Sequence, residues 1–104
     1  MTVAAPEIRA PRAQVALPCT LSRQVGSPIA AQTIAVGPRG MQVRSPRPLV
    51  TDETIGFDLP DLEMRISGRA RVLGEERPQV YALRFENLPG PMTRRLHALA
   101  INAR

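Results

Sequence analysis

Short segments in which every second residue is apolar, separated by prolines and glycines, are the feature that most constrains the fold of this chain. Within residues 54–59, Ile55, Phe57 and Leu59 share one side, and polar residues or glycine fill the other. Successive side chains of a β-strand point to opposite faces of a sheet, so a period of two predicts a half-buried strand. Residues 63–73 hold the longest alternation, and we predict the clearest strand there.

The same pattern predicts six strands in all, joined by turns rich in proline and glycine. Pro18 interrupts the first strand, and a proline inside a strand is typical of a sheet edge or a bulge. We expect a charged hairpin loop at residues 74–78. The predicted strands are residues 13–25, 29–36, 41–44, 54–59, 63–73 and 79–86.

The last segment of the chain has helical periodicity instead. Pro91 suits the first turn of a helix. One apolar stripe follows at helical spacing, made of Met92, Leu96, Leu99 and Ala103. Six short strands and one helix predict a mainly β fold, a closed or nearly closed antiparallel barrel with a C-terminal α-helix against it.

The length of 104 residues fits a single domain. Residues 1–12 contain two prolines together with Arg9 and Arg12, and we expect a flexible basic arm there. Residues 13–104 would then form the barrel and its helix. Because the chain has one tyrosine, two phenylalanines and no tryptophan, its core must be built mostly from aliphatic side chains.

The basic residues of the chain are all arginines, fourteen in number, and the net charge is +5. A positive protein attracts anionic partners. A guanidinium group can hold a phosphate through two parallel hydrogen bonds and can stack on a base. The absence of lysine is also what a GC-rich genome produces, so the charge alone does not name the partner.

Several classes of function lack the residues that they need. Cys19 is the single cysteine, which excludes an internal disulfide and a zinc cluster. His97, the single histidine, has no ligand-spaced partner, so we predict no metal and no cofactor. No serine stands in a nucleophile motif such as Gly-x-Ser-x-Gly, so we predict that the protein is not an enzyme. The chain also lacks an apolar run of about 20 residues and a signal-peptide core, which predicts a cytoplasmic protein without membrane insertion.

Three stretches carry a family resemblance. They are a basic arm before the strand AQVALPCTLS, the strand–turn–strand TIAVGPRGMQV, and the tail GRARVLGEERPQVYALRFENLPGPMTRRLHALAI. Together they resemble the PilZ domain of bacterial cyclic di-GMP signalling. The resemblance implies a six-stranded antiparallel PilZ-like β-barrel with a C-terminal α-helix. The family binds cyclic di-GMP through an Arg-x-x-x-Arg arm and an Asp/Asn-x-Ser-x-x-Gly turn.

The resemblance also implies where cyclic di-GMP would bind. Gly40 matches the final glycine of the turn motif, but Ala35 stands at the Asp/Asn position and Gly37 at the Ser position. The arm arginines are three positions apart rather than four. Loss of a hydrogen-bond partner in a desolvated site costs about 1–3 kcal/mol, so the resemblance implies weak or lost nucleotide binding. The candidate ligand-binding residues are Arg9, Arg12, Gly37, Arg39 and Gly40.

A second candidate surface consists of Arg65, Arg69 and Arg71, which alternate along the strand predicted at residues 63–73 and could meet an acidic partner. Three hypotheses follow. Divergent members of the family act through protein partners, which favours a regulatory adaptor for an unidentified bacterial protein. The chain could instead be a functional cyclic di-GMP receptor that uses its arginine arm. A small basic barrel that binds nucleic acid is disfavoured because few aromatic side chains interleave with the arginines; steep salt dependence would identify it.

Overall fold

The computed structural model describes residues 13–60 and 65–102 of the chain. The predicted arm at residues 1–12 and the first residues of the strand predicted at 63–73 lie outside the described residues. The elements are β1 (Ala13–Gln14), β2 (Pro18–Ser22), β3 (Ile29–Val36), β4 (Gly40–Arg44), β5 (Thr54–Leu59), β6 (Ile66–Arg77), β7 (Val80–Glu86) and α1 (Gly90–Asn102).

Six of the strands form a closed antiparallel barrel in the order β3–β2–β5–β6–β7–β4. Pairing of β4 with β3 completes the circle, with Val36 opposite Met41 and Gln32 opposite Arg44. The two-residue strand β1 pairs with the end of β3 and so continues the line of β2 after a break. The predicted mainly β fold, a closed six-stranded antiparallel barrel with a C-terminal helix, is therefore confirmed. Closure gives the six strands a neighbour on both sides along the closed part of the barrel, which removes exposed edges there.

The break between β1 and β2 is filled by the side chain of Thr33 on β3. Its hydroxyl donates a hydrogen bond to the Val15 carbonyl and accepts one from the Leu17 amide at 2.8 Å. Thr33 is 1% exposed, so this bridge lies within the barrel wall. The interruption lies just before Pro18, which begins β2, a position where its missing amide is tolerated. The sheet edge that Pro18 indicated is not found, because β2 pairs with β3 on one side and β5 on the other.

The predicted alternation places one continuous core inside the barrel. Ile55, Phe57 and Leu59 of β5 are buried as expected, and Cys19 and Leu21 of β2 join them. The remaining strands contribute buried aliphatic residues at every second position, including Val36, Met41, Val43, Ile66, Ala70, Val72 and Leu83.

The prediction of a charged hairpin loop at residues 74–78 is wrong. β6 continues through Arg77, and the hairpin turns at Pro78 and Gln79, where Gln79 adopts a positive φ of 68°. Within this stretch β6 shifts its register against β7 twice. Each bulge adds a residue to one strand, which breaks the period of two that the sequence analysis relied on.

The helix α1 packs against β1 and β3 and completes the core. Pro91 lies in its first turn as predicted. Leu96 is fully buried, while Met92 and Leu99 are partly buried against the core. Ala100 is also buried, so the apolar stripe includes a residue that was not predicted, while the predicted Ala103 lies outside the described residues. Among the described residues, no helix has the length and apolar character that crossing a membrane requires.

Candidate functional site

The turn between β3 and β4 brings together three of the predicted ligand-binding residues, Gly37, Arg39 and Gly40. The Gly37 amide donates a hydrogen bond to the Gly40 carbonyl at 2.9 Å, which closes the turn. The Arg39 carbonyl accepts a hydrogen bond from the Phe85 amide of β7, also at 2.9 Å. The turn is thus attached to β7, and the backbone of Arg39 has a fixed place on the barrel.

Gly40 is required by the close approach of two strands. A Cβ atom at this position would lie 2.1 Å from the Leu83 carbonyl oxygen and 3.2 Å from the Cα atom of Arg84. Both obstacles belong to the backbone of β7, so they cannot rotate away. The glycine that the family resemblance assigns to a ligand motif therefore has a role in strand pairing that applies with or without a ligand.

An open pocket of about 270 Å³ lies beside this turn. Its lining combines two guanidinium side chains, from Arg39 of the turn and Arg84 of β7, with Thr93 in the first turn of α1. No carboxylate takes part in the lining. We name it the turn pocket, and its lining residues are Pro38, Arg39, Arg84, Phe85, Leu88 and Thr93.

An aromatic stack supports the apolar side of the turn pocket. The rings of Phe57 and Phe85 have centroids 4.8 Å apart and an angle of 28° between their planes. Gly68 of β6 lies between their strands, and a Cβ atom there would be 2.8 Å from Leu88 Cδ2 and 3.4 Å from the Phe57 ring. Because β6 has no side chain at this point, the rings meet across it and Leu88 packs over the gap. The apolar lining is therefore fixed by packing.

The two guanidinium groups of the turn pocket have no negative partner among the described residues. Arg84 lies directly opposite Arg71 of β6, an arrangement of like charges that destabilises a strand pair. The nearby carboxylate of Glu86 instead forms an ion pair with Arg71, with Nε and Oε2 3.1 Å apart. The positive charge of Arg84 thus stays uncompensated at the edge of the pocket.

The three arginines predicted as a partner surface have different surroundings. Arg65 donates two hydrogen bonds to the Asp58 carboxylate, at 2.9 and 2.7 Å, and they lower the pKa of that carboxyl. Arg71 is paired with Glu86, and Arg69 is exposed. Two of the three charges are therefore balanced locally, and a role of this surface in partner binding stays a prediction.

The positions where the PilZ family has polar side chains in the turn motif are buried and apolar in this barrel. Ala35 is 6% exposed, and Gly37 is buried as well. Neither can present a hydrogen-bonding side chain to the turn pocket. Arg9 and Arg12 lie outside the described residues, so their approach to the pocket stays a prediction.

The part of the pocket that comes from β7 and α1 was not predicted from the sequence. The alternation of Tyr81, Leu83 and Phe85 places Arg84 on the outside of the barrel, a signal that was present in the sequence. What makes Arg84 part of the site is the strand register, which sets it opposite Gly40. The period of an isolated strand carries no information about that register.

Aromatic side chains offer little surface for stacking bases. Phe57 is 3% exposed and Tyr81 is 5% exposed, while Phe85 is half-buried in the ring stack. Proteins that bind single-stranded nucleic acid hold successive bases on exposed aromatic rings, so this surface does not favour that function. In the part of the chain that the structure describes, no three potential metal ligands come together.

Comparison with solved structures finds a similar fold in the Bacillus subtilis inhibitor of motility (MotI/DgrA). The TM-score is 0.74, the sequences are 12% identical, and the match covers 89% of this chain. The chain spans about half of that protein, 48% of its length. The sequence matches no protein-family model, and comparison with curated proteins finds no match either. At this level of identity the likeness concerns the architecture of the barrel.

Proposed function

We propose that this chain is a non-enzymatic PilZ-like regulatory module that acts through a protein partner and binds cyclic di-GMP weakly or not at all. The observation that carries the proposal is the turn between β3 and β4. It retains Gly40, which strand pairing requires, but it has a buried methyl group at Ala35 and no side chain at Gly37. A guanine base would find no hydrogen-bonding side chain at either position.

The shared fold supports a regulatory role over a catalytic one. MotI/DgrA, which has a similar barrel, is named as an inhibitor of motility. An inhibitor acts on another component, and the present barrel likewise has an exposed outer face with charged side chains on β6 and β7. The partner of this chain would be a bacterial protein that meets that face or the turn pocket.

Calorimetric titration of the full chain with cyclic di-GMP tests the proposal. We expect the dissociation constant to be about thirtyfold or more higher than that of a PilZ domain with both motifs intact, measured in parallel. Two missing hydrogen bonds, each of about 1–3 kcal/mol, weaken binding by this factor or more. Micromolar or tighter binding that an Arg9→Ala/Arg12→Ala double variant loses would contradict the proposal and identify a cyclic di-GMP receptor.

Reception of cyclic di-GMP is the second candidate function, and a specific observation favours it. Arg39 and Arg84 both line the pocket beside Gly40, where they could hold the phosphates of a dinucleotide. The same titration separates the two candidates, because one requires weak binding and the other requires tight binding that depends on arginine.

A further inference from the structure

We infer that the turn pocket is a phosphate-binding site in which Arg84 and Arg39 supply the positive charge, and that it recognises phosphate groups without reading a base. This inference rests on the regulatory role proposed above, because it names the chemical class of the signal that the module would take. Arg84 belongs to neither motif of the family resemblance, so this role comes from the structure of this chain.

The first argument is the placement of the two guanidinium groups. They come from different elements, the turn and β7, which the hydrogen bond from the Phe85 amide to the Arg39 carbonyl holds together. Gly40 lies opposite Arg84 and has no side chain to stand between the two arginines. Two forked donors at one pocket can bind the oxygens of a single phosphate from two sides.

The second argument is electrostatic. Arg84 faces Arg71 across the strand pair, and the Glu86 carboxylate on the same strand as Arg84 is already bound to Arg71. The first turn of α1 beside the pocket has no acidic residue. A bound anion would therefore relieve repulsion between like charges, and it would displace no existing ion pair of the described residues.

The third argument concerns the hydroxyl of Thr93. Its Oγ lies 3.4 Å from the Pro89 carbonyl oxygen, longer than the usual O–H···O distance of about 2.7 Å. This hydroxyl is thus held loosely and can turn toward an anion in the pocket. The polar side chains that the family's turn motif offers to a base have no counterpart here, because Ala35 and Gly37 are buried without a hydrogen-bonding side chain and Phe85 is engaged in its ring stack.

The test is a nuclear magnetic resonance titration of the full chain with four probes: inorganic phosphate, pyrophosphate, cyclic di-GMP and cyclic di-AMP. We expect amide shifts confined to residues 39, 40, 84, 85 and 93. Arg84→Ala and Arg39→Ala should each weaken binding by about tenfold to a hundredfold, the effect of losing charge-assisted hydrogen bonds. Arg44→Ala is the matched control, because it removes the same charge from an exposed position on β4 outside the pocket.

Each outcome decides the inference. Equal affinity for the two cyclic dinucleotides supports the inference and identifies nucleotide phosphodiesters as the ligand class. Binding of inorganic phosphate and pyrophosphate alone also supports it and identifies free phosphates as the ligand class. The absence of shifts with every probe overturns it, and so does equal weakening by Arg84→Ala and Arg44→Ala. A preference for cyclic di-GMP over cyclic di-AMP also overturns it, because the two ligands differ only in their bases. If phosphate binding fails while calorimetry shows no cyclic di-GMP binding, the partner-mediated role stands and this inference alone falls.

Discussion

Three glycines of the barrel lie where strands pair, and they differ in how closely other atoms approach. A Cβ atom would lie 2.1 Å from a backbone oxygen at Gly40, 2.8 Å from the Leu88 side chain at Gly68, and 3.7 Å from its nearest neighbour at Gly56. A side chain such as Leu88 can change its rotamer, whereas a paired strand cannot move without losing hydrogen bonds. Gly40 is therefore the least replaceable of the three.

Gly40→Ala should lower the free energy of unfolding by about 2–4 kcal/mol, because the added methyl group forces β4 away from β7. Chemical denaturation of the variant measures this loss. Gly56→Ala is the matched control, with an expected change below about 1 kcal/mol in either direction. Equal stability of the two variants would show that β4 and β7 can separate at no cost.

Burial also determines the chemistry of Cys19. Removal of the thiol from water raises its pKa from an ordinary value of 9.0 to about 12. The folded chain therefore keeps this proton at pH values where the unfolded chain has lost it. The stability contributed by the neutral thiol is complete below pH 9 and is lost as the pH rises from 9 toward about 12.

The free energy of unfolding should consequently fall between pH 9 and pH 10 by up to about 1.4 kcal/mol more in the wild type than in Cys19→Ala. Denaturation at several pH values gives the two slopes, and the variant accounts for the titration of other groups. At pH 8 the native thiol should also be inert to iodoacetamide and react once denaturant is added. Identical slopes together with rapid native alkylation would contradict the burial of this thiol.

At the scale of elements, the wall of the barrel depends on a side chain where the backbone ladder is interrupted. The residues between β1 and β2 leave the regular pairing with β3, and the Thr33 hydroxyl bonds to both sides of the gap. A buried amide without an acceptor costs free energy comparable to a lost hydrogen bond. The threonine thus permits an irregular strand without an unsatisfied polar group.

Thr33→Val keeps the shape of this side chain and removes both hydrogen bonds, so we expect a loss of about 1–3 kcal/mol in the free energy of unfolding. Amide hydrogen exchange should accelerate at Leu17, whose amide loses its acceptor. Thr20→Val, at a half-buried strand position with no side-chain hydrogen bond recorded among the described residues, serves as the control. Unchanged exchange at Leu17 together with unchanged stability would refute the bridging role.

Periodicity predicted the elements well where side chains alternate without interruption. The strands expected at 29–36 and 54–59 have those bounds in the structure. The prediction failed at the end of β6, where two shifts of register hide a strand within a charged segment. Bulges arise from how two strands pair, so the sequence of one strand does not reveal them.

The site was predictable to the extent that it is local. Gly37, Arg39 and Gly40 are neighbours in one turn, and a motif resemblance points to them directly. Arg84 and Thr93 reach the same pocket from β7 and α1. Their placement depends on strand register and on where the helix begins, which only the assembled barrel fixes.

At the scale of the whole molecule, one core joins the strands to the helix. Leu96 of α1 is fully buried in the same cluster as Val36 of β3 and Ile55 of β5. Pairing among the strands closes the barrel, and the helix adds its apolar face to the same core. Stability of the barrel and docking of the helix should therefore be lost in a single transition.

Leu96→Ala should lower the free energy of unfolding by about 2–5 kcal/mol, since it removes a large side chain from a packed interior. Ile101→Ala on the same helix is the control, because Ile101 is 42% exposed and its loss should change stability far less. Within each variant, circular dichroism and tyrosine fluorescence should report the same unfolding midpoint. Loss of helical signal from a barrel that remains folded would show that α1 is a dispensable attachment.

The hairpin of β6 and β7 extends beyond the closed part of the barrel. Pairing of β6 with β5 ends where Arg71 faces Thr54, so residues 73–77 pair with β7 alone among the described strands. Three residues of this overhang are charged, and both register shifts fall within or at the start of it. Charges and bulges of this kind discourage a foreign strand from adding to an open edge. This overhang is therefore a poor template for the strand-by-strand growth of an amyloid fibril.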